Sequence, residues 1–289
     1  MKIIRNPRAF QKEMNKLRRQ GKTLGLVPTM GALHEGHLSL VRQARKENQI
    51  VVVSIFVNPL QFGPHEDFRY YPRNLKKDSA LLSKERVNFI FAPDVEALYP
   101  ADSQTLVEVT RLGAGLCGKF RPGHFHGVAT VVAKLFNLAR PHRAYFGAKD
   151  YQQAIIIKQL VCDLCFDIDV RVLPTIRDLD GLALSSRNVY LSPGERSRAL
   201  SIPHALVWAQ QEIKHGNRNL RALRFGIRRR LSKNLDRIDY IELMQPENLK
   251  QVKTIQGKLL IAVAGWVGKT RLIDNVIIHV SKSHVPTNP

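Results

Sequence analysis

The chain has 289 residues, of which 44% are hydrophobic and 24% charged, as in an ordinary globular protein. No apolar run approaches the ~20 residues of a membrane-spanning helix, and the start, M-K-I-I-R-N-P, lacks the apolar core of a signal peptide. Three cysteines are too few for a disulfide framework. We therefore expect a cytoplasmic protein without a membrane partner, long enough for two domains.

The net charge of +21 invites a nucleic-acid interpretation, but the excess is spread along the chain. Residues 1–175 hold 26 Lys/Arg against 15 Asp/Glu, and residues 176–289 hold 19 against 9. The densest cluster runs from Arg218 to Arg237. Its apolar residues recur at helical spacing, at Leu220, Leu223, Ile227 and Leu231. This pattern predicts the solvated side of an amphipathic helix, without interleaved aromatic residues for base stacking, so we expect no nucleic-acid partner.

In chain order, Pro7 follows an Asn cap and predicts a helix that runs to Gly21. The next stretch predicts a strand, a sharp turn imposed by Pro28 and Gly31, and a helix that begins near His34. Three apolar side chains of that helix are expected to face inward: Leu38, Leu40 and Val41. A strand–turn–helix of this kind aims backbone N–H groups and the positive helix end at a ligand above the strand.

His34 and His37 lie three residues apart, on one face near the start of this predicted helix. Imidazoles there can donate hydrogen bonds to phosphate oxygens, which favours a nucleotide site. The stretch matches neither a Walker loop, nor G-x-G-x-x-G, nor H-E-x-x-H. Ordinary surface histidines and metal ligands remain the alternatives at this stage.

The first 175 residues alternate between strands and helices. The further strands are predicted at Ile50–Phe56, Asn88–Phe91, Ala144–Phe146 and Val170–Leu173. The further helices are predicted to end at Leu82 and to cover Val128–Leu138 and Ala154–Leu164. This alternation predicts an α/β fold, a doubly wound, Rossmann-like parallel sheet, as the domain 1–175.

Residues 176–289 have a different pattern, which predicts a smaller α+β domain. Ser192 and Glu195 form a capping box that predicts the start of one long helix, followed by the basic helix. Three strands follow, at Tyr240–Leu243, Leu259–Val263 and Leu272–Val280. The tail after Val280 is expected to be loose.

Polar residues collect after the predicted strands, and in a parallel sheet such loops open on one edge. They are His34, His37, Asn58, Gln61, Lys149, Asp150, Gln153, Ser185, Ser186 and Arg187. Cations, imidazoles and helix N-termini suit a polyphosphate whose negative charge grows during reaction. The glutamines suit a small hydroxylated ligand. Neither a Ser-His-Asp nor a Cys-His arrangement is legible, and no pair of carboxylates suits glycoside chemistry.

Motifs along nearly the whole chain resemble the pantothenate synthetase (pantoate–β-alanine ligase) family of the nucleotidyltransferase superfamily. The matching stretches are P-T-M-G-A-L-H-E-G-H at 28–37, V-S-I-F-V-N-P-L-Q-F at 53–62, Y-P-R at 71–73, R-P-G-H-F at 121–125, Y-F-G-A-K-D-Y-Q-Q at 145–153, L-S-S-R-N at 184–188 and T-R-L-I-D-N at 270–275. They follow the family's order, and together they are far more specific than any one of them.

The resemblance implies that pantoate and ATP give pantoyl adenylate and pyrophosphate. The amine of β-alanine then attacks the adenylate, releasing AMP and pantothenate. It also implies a requirement for Mg²⁺, a homodimer, and a C-terminal domain that serves as a lid over the Rossmann-like domain.

The resemblance assigns roles residue by residue. The catalytic, phosphate-holding residues would be His34, His37, Lys149, Ser185, Ser186 and Arg187. Further ATP contacts would come from Pro28, Thr29, Met30, Gly31, Gly147, Asp150 and Leu184. Pantoate would be bound by Gln61, Gln153 and Asn58.

The chain departs from the family pattern at two places. Leu184 replaces the usual methionine before S-S-R, a volume-conserving change that we expect to be harmless. An acidic pair common after Y-P-R is here Lys77-Asp78, which leaves Asp78 as the carboxylate expected to position magnesium. The alternatives are a cytidylyltransferase and an RNA-binding relative of the aminoacyl-tRNA synthetases.

Overall fold

The computed structural model describes residues 1–64 and 66–280, so the predicted loose tail lies outside the described residues. The chain divides into two compact units. The first comprises Met1–Ile176 and Leu184–Ser186, and the second comprises Arg177–Ala183 and the chain from Arg187 onward. No helix among the described residues is both long and apolar enough to cross a membrane.

The first unit is built on a six-stranded sheet in the order β1-β4-β3-β2-β5-β6, and every pair of neighbours is parallel. The strands are β1 (Lys2–Ile4), β2 (Leu24–Thr29), β3 (Ile50–Ile55), β4 (Phe89–Phe91), β5 (Arg143–Gly147) and β6 (Asp169–Leu173). The helices are α1 (Pro7–Arg19), α2 (Glu35–Glu47), α3 (Leu75–Lys84), α4 (Val95–Leu98), α5 (Thr110–Ala114), α6 (Cys117–Phe120), α7 (His124–Ala139) and α8 (Tyr151–Asp163). The predicted doubly wound parallel sheet is confirmed. The short edge strand β1 was not predicted.

The strand order places β2 at the point where the winding direction reverses. After β2 the chain adds β3 and β4 on one side, then returns to add β5 on the other side. Ligands of open α/β sheets bind in the crevice at the carboxyl ends of strands flanking such a switch point. That crevice here lies beyond Thr29 and Gly147, where β2 and β5 end.

Packing explains why α2 lies on this sheet. Its apolar side chains Leu38, Leu40, Val41 and Ala44 are all buried, which confirms the predicted inward face. The three valines of β3 are buried as well, as expected for a strand covered on both faces.

The second unit has an antiparallel sheet in the order β7-β8-β9. Its strands are β7 (Arg237–Met244), β8 (Gly257–Val267) and β9 (Thr270–Val280), and its helices are α9 (Pro193–Ala199), α10 (Ser201–Lys214) and α11 (Leu220–Leu231). One apolar core joins the helices to the sheet, with Leu206, Leu223, Ile227 and Val263 among its buried members. The smaller α+β unit agrees with the fold class expected from the sequence.

The single long helix predicted after Ser192 is wrong, because the structure has two helices, α9 and α10, that meet at Leu200. Pro203 accounts for the break. It has no N–H to bond the carbonyl of Ala199, four residues earlier, so the first helix ends at that residue.

The basic helix is α11, and its apolar face is buried as predicted. Arg228 and Arg229 are exposed, also as predicted. Arg230 differs, because its guanidinium lies 3.8 Å from the ring centroid of Trp208 and donates to the carbonyl oxygen of Gly226. The expectation that no aromatic residue interleaves with the arginines is also wrong, since Phe225 is 67% exposed within this helix.

Candidate active site

The turn that follows β2 is held by its own side chains. Thr29 donates from Oγ1 to the carbonyl oxygen of Ser54 at 2.6 Å and accepts the N–H of Gly31 at 3.2 Å. Gly31 has φ +83°, a conformation that strongly favours glycine. Thr29 is therefore engaged inside the protein, and the backbone of the turn is what remains for a ligand.

A buried carboxylate clamps the next two residues of this turn. Asp78, in the first turn of α3, accepts the N–H of Ala32 at 3.0 Å and the N–H of Leu33 at 2.9 Å, one on each oxygen. Its exposed fraction is 2%. Charge-assisted bonds of this kind are about twice as strong as neutral ones, so the turn enters α2 in a fixed direction.

His34 and His37 form a capping box at the start of α2. The Nδ1 atom of His34 accepts the N–H of Gly36 at 3.2 Å, and Nδ1 of His37 accepts the N–H of His34 at 3.4 Å. The centroids of the two rings lie 4.1 Å apart. Because each Nδ1 is an acceptor, the proton of each neutral ring is on Nε2, and neither Nε2 has a partner among the described residues.

Both imidazoles are kept neutral. Burial, followed by the charge of Lys149, lowers the pKa of His34 to about 4, with Asp150 opposing the shift. Burial, followed by His34 and then Lys149, lowers the pKa of His37 to about 3. Near neutral pH the helix end therefore carries two uncharged Nε2–H donors.

Lys149 and Asp150 come from the turn Ala148–Asp150, directly after β5. The Lys149 side chain is 18% exposed and lies 3.9 Å from an Asp150 carboxylate oxygen, while the Asp150 side chain is 51% exposed. Since Lys149 lowers the pKa of both histidines, its ammonium group lies within electrostatic reach of the α2 cap. The ends of β2 and β5 thus bring two imidazoles and one cation together.

Gln61 ends a short 3₁₀ turn, Pro59–Gln61, that follows β3. Its Oε1 accepts from Nδ2 of Asn58 at 3.1 Å, and its Nε2 lies 3.2 Å from the sulfur of Met30. Its backbone carbonyl oxygen lies 2.8 Å from Nδ1 of His124. Among the described residues, the other side-chain N–H of Gln61 has no partner, so the structure orients this amide and leaves one donor for a ligand.

Asn58 makes hydrogen bonds inside the protein. It is 1% exposed, its Oδ1 accepts the N–H of Leu60, and its Nδ2 donates to Gln61 and to the carbonyl oxygen of Gly127. A Cβ at Gly127 would lie 2.3 Å from the Leu60 carbonyl group, so only glycine allows α7 to approach this closely. Asn58 therefore holds Gln61 in place, and its expected contact with pantoate stays a prediction.

Ser186 also reaches the turn after β2. Its Oγ donates to the carbonyl oxygen of Ala32 at 3.2 Å and accepts from the hydroxyl of Tyr71 at 3.3 Å. Leu184 and Ser185 precede it in the same unit, and a Cβ added at Gly36 would lie 3.9 Å from the Leu184 Cβ. The serine motif thus belongs with the α2 cap, whereas Arg187 belongs to the second unit.

Comparisons with known proteins match this arrangement to one family over almost the entire chain. The family model described as pantoate-beta-alanine ligase matches residues 2–277. The chain belongs to the pantoate–β-alanine ligase family. A pantothenate synthetase of Thermotoga petrophila is 52% identical over 279 residues, covering 96% of this chain and all of the relative.

Solved structures agree with this assignment. A pantothenate synthetase from Thermus thermophilus is 44% identical, has a TM-score of 0.91, and is matched over 96% of this chain and 99% of the other. A pantoate-beta-alanine ligase from Francisella tularensis, complexed with beta-gamma ATP and beta-alanine, is 37% identical with a TM-score of 0.78, over 96% and 97% of the two chains. The doubly wound sheet and the small antiparallel sheet of this ligase are thus those of its family.

The residue expected to position magnesium, Asp78, can be compared with the possible metal ligands of the described residues. Among the described residues, no group of three or more His, Cys, Asp or Glu side chains is arranged to hold a metal ion. Asp78, the expected ligand, uses both carboxylate oxygens on the backbone amides of Ala32 and Leu33. Asp78 therefore has a structural role in the turn, and its expected part in positioning magnesium stays a prediction.

Sequence reasoning missed the structural role of Gln152 at the start of α8. Gln152, next to Gln153, is buried and bonds main-chain groups of Leu112, Gly115 and Cys117 at 2.7–2.9 Å. Gln153 is half-buried, and its amide bonds no described residue. The available signal was helical spacing, since adjacent residues of a helix point in different directions and only one of the two glutamines can face the core.

Proposed function

We propose that this ligase forms pantothenate in two steps at the carboxyl edge of its parallel sheet. A carboxylate oxygen of pantoate attacks the α-phosphorus of ATP, and the bond to the bridging oxygen breaks to release pyrophosphate. The amine of β-alanine then attacks the acyl carbon of pantoyl adenylate, and AMP leaves. The observation that carries this proposal is the neutral histidine cap of α2 beside Lys149.

In the first step, His34 and His37 would donate from Nε2 to phosphate oxygens at the positive end of α2. Negative charge moves onto the pyrophosphate as its bond breaks, and the ammonium group of Lys149 would stabilise that charge. Donors fixed in advance cost little reorganisation during the reaction, so they lower the barrier more than mobile water does. The capping bonds at Nδ1 supply this preorganisation.

Gln61 and Gln153 would bind pantoate through neutral amides. The carboxylate must stay nucleophilic, and an arginine holding it bidentately would stabilise the ground state without raising the rate of the chemical step. We propose that the other matched residues, Pro28, Thr29, Met30, Gly31, Gly147, Asp150, Leu184, Ser185, Ser186 and Arg187, contact ATP.

The second unit would serve as a lid, ATP would be used with Mg²⁺, and the protein would be a homodimer; these proposals come from the family resemblance. Magnesium would arrive with the triphosphate, a mode of binding that needs few carboxylates from the protein.

The experiment that tests the proposal is exchange of labelled pyrophosphate into ATP, measured with a panel of carboxylic acids. We expect exchange that requires pantoate and proceeds without β-alanine. Exchange that appears only when β-alanine is added would contradict the two-step route. Turnover of CTP in place of ATP would favour the cytidylyltransferase alternative instead.

A further inference from the structure

Asp78 is a buried carboxylate whose hydrogen bonds both go to main-chain groups. It makes no ion pair with any Lys, Arg or His of the part of the chain that the structure describes, and its exposed fraction is 2%. A buried charge is costly unless hydrogen bonds compensate it. The two amides of Ala32 and Leu33 provide that compensation, so the carboxylate and the turn stabilise each other.

The turn needs such a clamp because its backbone is strained. Ala32 has φ +50°, which costs a non-glycine residue free energy and persists only where surrounding contacts enforce it. The Ala32 carbonyl is held from the other side by Ser186, whose Oγ lies 3.2 Å from it. A Cβ at Gly31 would lie 3.0 Å from Oδ2 of Asp78, so the carboxylate also packs against the start of the turn.

The clamped peptides lead directly into the histidine cap. Leu33 precedes His34, whose backbone N–H donates to His37 and whose carbonyl oxygen accepts the N–H of His37 at 2.8 Å. A rotation of the Ala32 or Leu33 peptide would therefore turn both rings of the cap. A displacement of about 1 Å in a catalytic group can lower a rate by on the order of 10²-fold.

We infer that Asp78 is a positioning residue for adenylation, which fixes the direction of the His34 and His37 donors through the Ala32 and Leu33 amides. This inference rests on the phosphate role proposed for the two histidines. It differs from the role implied by the family pattern, in which this carboxylate serves magnesium.

The test compares Asp78→Asn with Asp94→Asn. The first variant replaces one acceptor by an NH₂ group that faces a backbone N–H. Asp94 is the N-cap residue of α4, makes no capping hydrogen bond with its side chain, forms an exposed ion pair with Arg5 at 3.6 Å, and is itself 71% exposed. We expect Asp78→Asn to slow single-turnover formation of pantoyl adenylate by about 10- to 100-fold. Aminolysis of supplied pantoyl adenylate by β-alanine, and the magnesium concentration for half-activation, should stay near wild type. Asp94→Asn should match wild type throughout.

Three results would overturn the inference. They are wild-type adenylation by Asp78→Asn, recovery of its rate at high magnesium, and equal slowing of both half-reactions. If Asp78→Asn does not fold, hydrogen exchange of the Ala32 and Leu33 amides in the wild-type protein tests the clamp instead. The amides of Ala32 and Leu33 bond no backbone acceptor among the described residues, so slow exchange supports the clamp and fast exchange contradicts it.

A His34→Asn variant separates this inference from the proposed function. Normal adenylation by His34→Asn would remove the phosphate role proposed for His34, whereas wild-type protein without pantoate-dependent pyrophosphate exchange would remove the proposed function itself. Impaired adenylation by His34→Asn together with normal adenylation by Asp78→Asn would overturn only the positioning role of Asp78.

Discussion

Two helices of this ligase begin with a capping box, and the boxes differ in chemistry. At α9, Oγ of Ser192 accepts the N–H of Glu195 at 3.3 Å, and Oε2 of Glu195 accepts the N–H of Ser192 at 2.9 Å. At α2, imidazole Nδ1 atoms of His34 and His37 accept the corresponding backbone donors. Both boxes satisfy the first amides of a helix, as the ends of helices require.

The two boxes differ in the charge that they place at the helix end and in the hydrogen-bond donors that they leave unused. The Glu195 carboxylate places a negative charge at the positive end of α9, and hydrogen bonds from Ser192 lower its pKa so that the charge persists. The α2 box is uncharged near neutral pH, because the pKa values of its histidines are about 4 and 3. Glu35 in the first turn of α2 pairs with Arg42, so the box itself adds no charge to this helix end and offers two Nε2–H donors. The α9 box only caps the start of its helix, whereas we propose that the α2 box also binds phosphate.

The largest expected fall in the adenylation rate follows from removal of a cation that we propose to stabilise the charge of the departing pyrophosphate. Lys149→Ala and Arg187→Ala should each lower the adenylation rate by roughly 10²-fold or more, with a smaller effect on ATP binding. Single-turnover kinetics and ATP binding measure the two quantities. Lys158→Ala and Arg221→Ala, at exposed positions of α8 and α11, are the matched controls. Near-normal adenylation in either test variant would remove that residue from the mechanism.

The two boxes can be separated by one substitution in each. His34→Asn preserves a good helix cap but removes the Nε2 donor, so adenylation should fall by about 10²-fold while thermal stability changes little. Ser192→Ala should do the reverse, with a loss of about 1 kcal/mol in the free energy of unfolding and unchanged activity. If both variants lose stability and keep activity, the comparison between the boxes fails.

The fold was predictable because its signals are local, and the site was predictable only in part. The valines of β3 and the apolar face of α2 are periodic in the sequence, and both have the burial that their patterns predict. The clamp by Asp78 was not predictable, since it joins residues more than forty positions apart. The stacking of Arg230 on Trp208 is likewise a tertiary contact between two helices. The break before α10 had a local signal, Pro203, and could have been predicted.

A smaller effect is expected at the pantoate amides. Gln61→Ala and Gln153→Ala should each raise the Michaelis constant for pantoate by about 2- to 10-fold, the equivalent of about 0.5–1.5 kcal/mol for a hydrogen bond between uncharged groups. The constant for ATP should change little, and Gln159→Ala, on the exposed side of α8, should change neither. Steady-state kinetics with each substrate varied in turn gives these values. Equal rises for both substrates would indicate a local structural change around the substituted glutamine rather than loss of a pantoate contact.

The smallest expected effect is a change in the free energy of unfolding when arginines of α11 are replaced. Arg230→Gln should lower the free energy of unfolding by about 0.5–1 kcal/mol, because its guanidinium stacks on Trp208. Arg228→Gln and Arg229→Gln, which change exposed side chains, should be neutral in urea unfolding, and all three variants should keep ligase activity. Salt-sensitive RNA binding by the wild type that the Arg228 and Arg229 variants lose would favour the nucleic-acid alternative.

Protonation links the α2 box to pH. The pKa values of His34 and His37 are lower in the folded chain than the ordinary value of 6.5, so the unfolded chain takes up their protons first as the pH falls. Well above pH 6.5 the two histidines do not change the free energy of unfolding with pH. As the pH falls from about 6.5 toward 4 for His34, and toward 3 for His37, protonation of the unfolded chain lowers the free energy of unfolding. Urea unfolding at pH 7 and pH 5 should show less of this loss in His34→Asn than in wild type.

The most direct measurement is ¹⁵N NMR of the histidine side chains, titrated with pH and assigned with His34→Asn and His37→Asn. At pH 7 both rings should be neutral with the proton on Nε2, and they should titrate near pH 4 and pH 3. Addition of ATP should shift their Nε2 resonances and leave Nδ1 in its capping bond. A proton on Nδ1, or a charged imidazolium at pH 7, would contradict the account of the α2 box as a neutral donor pair.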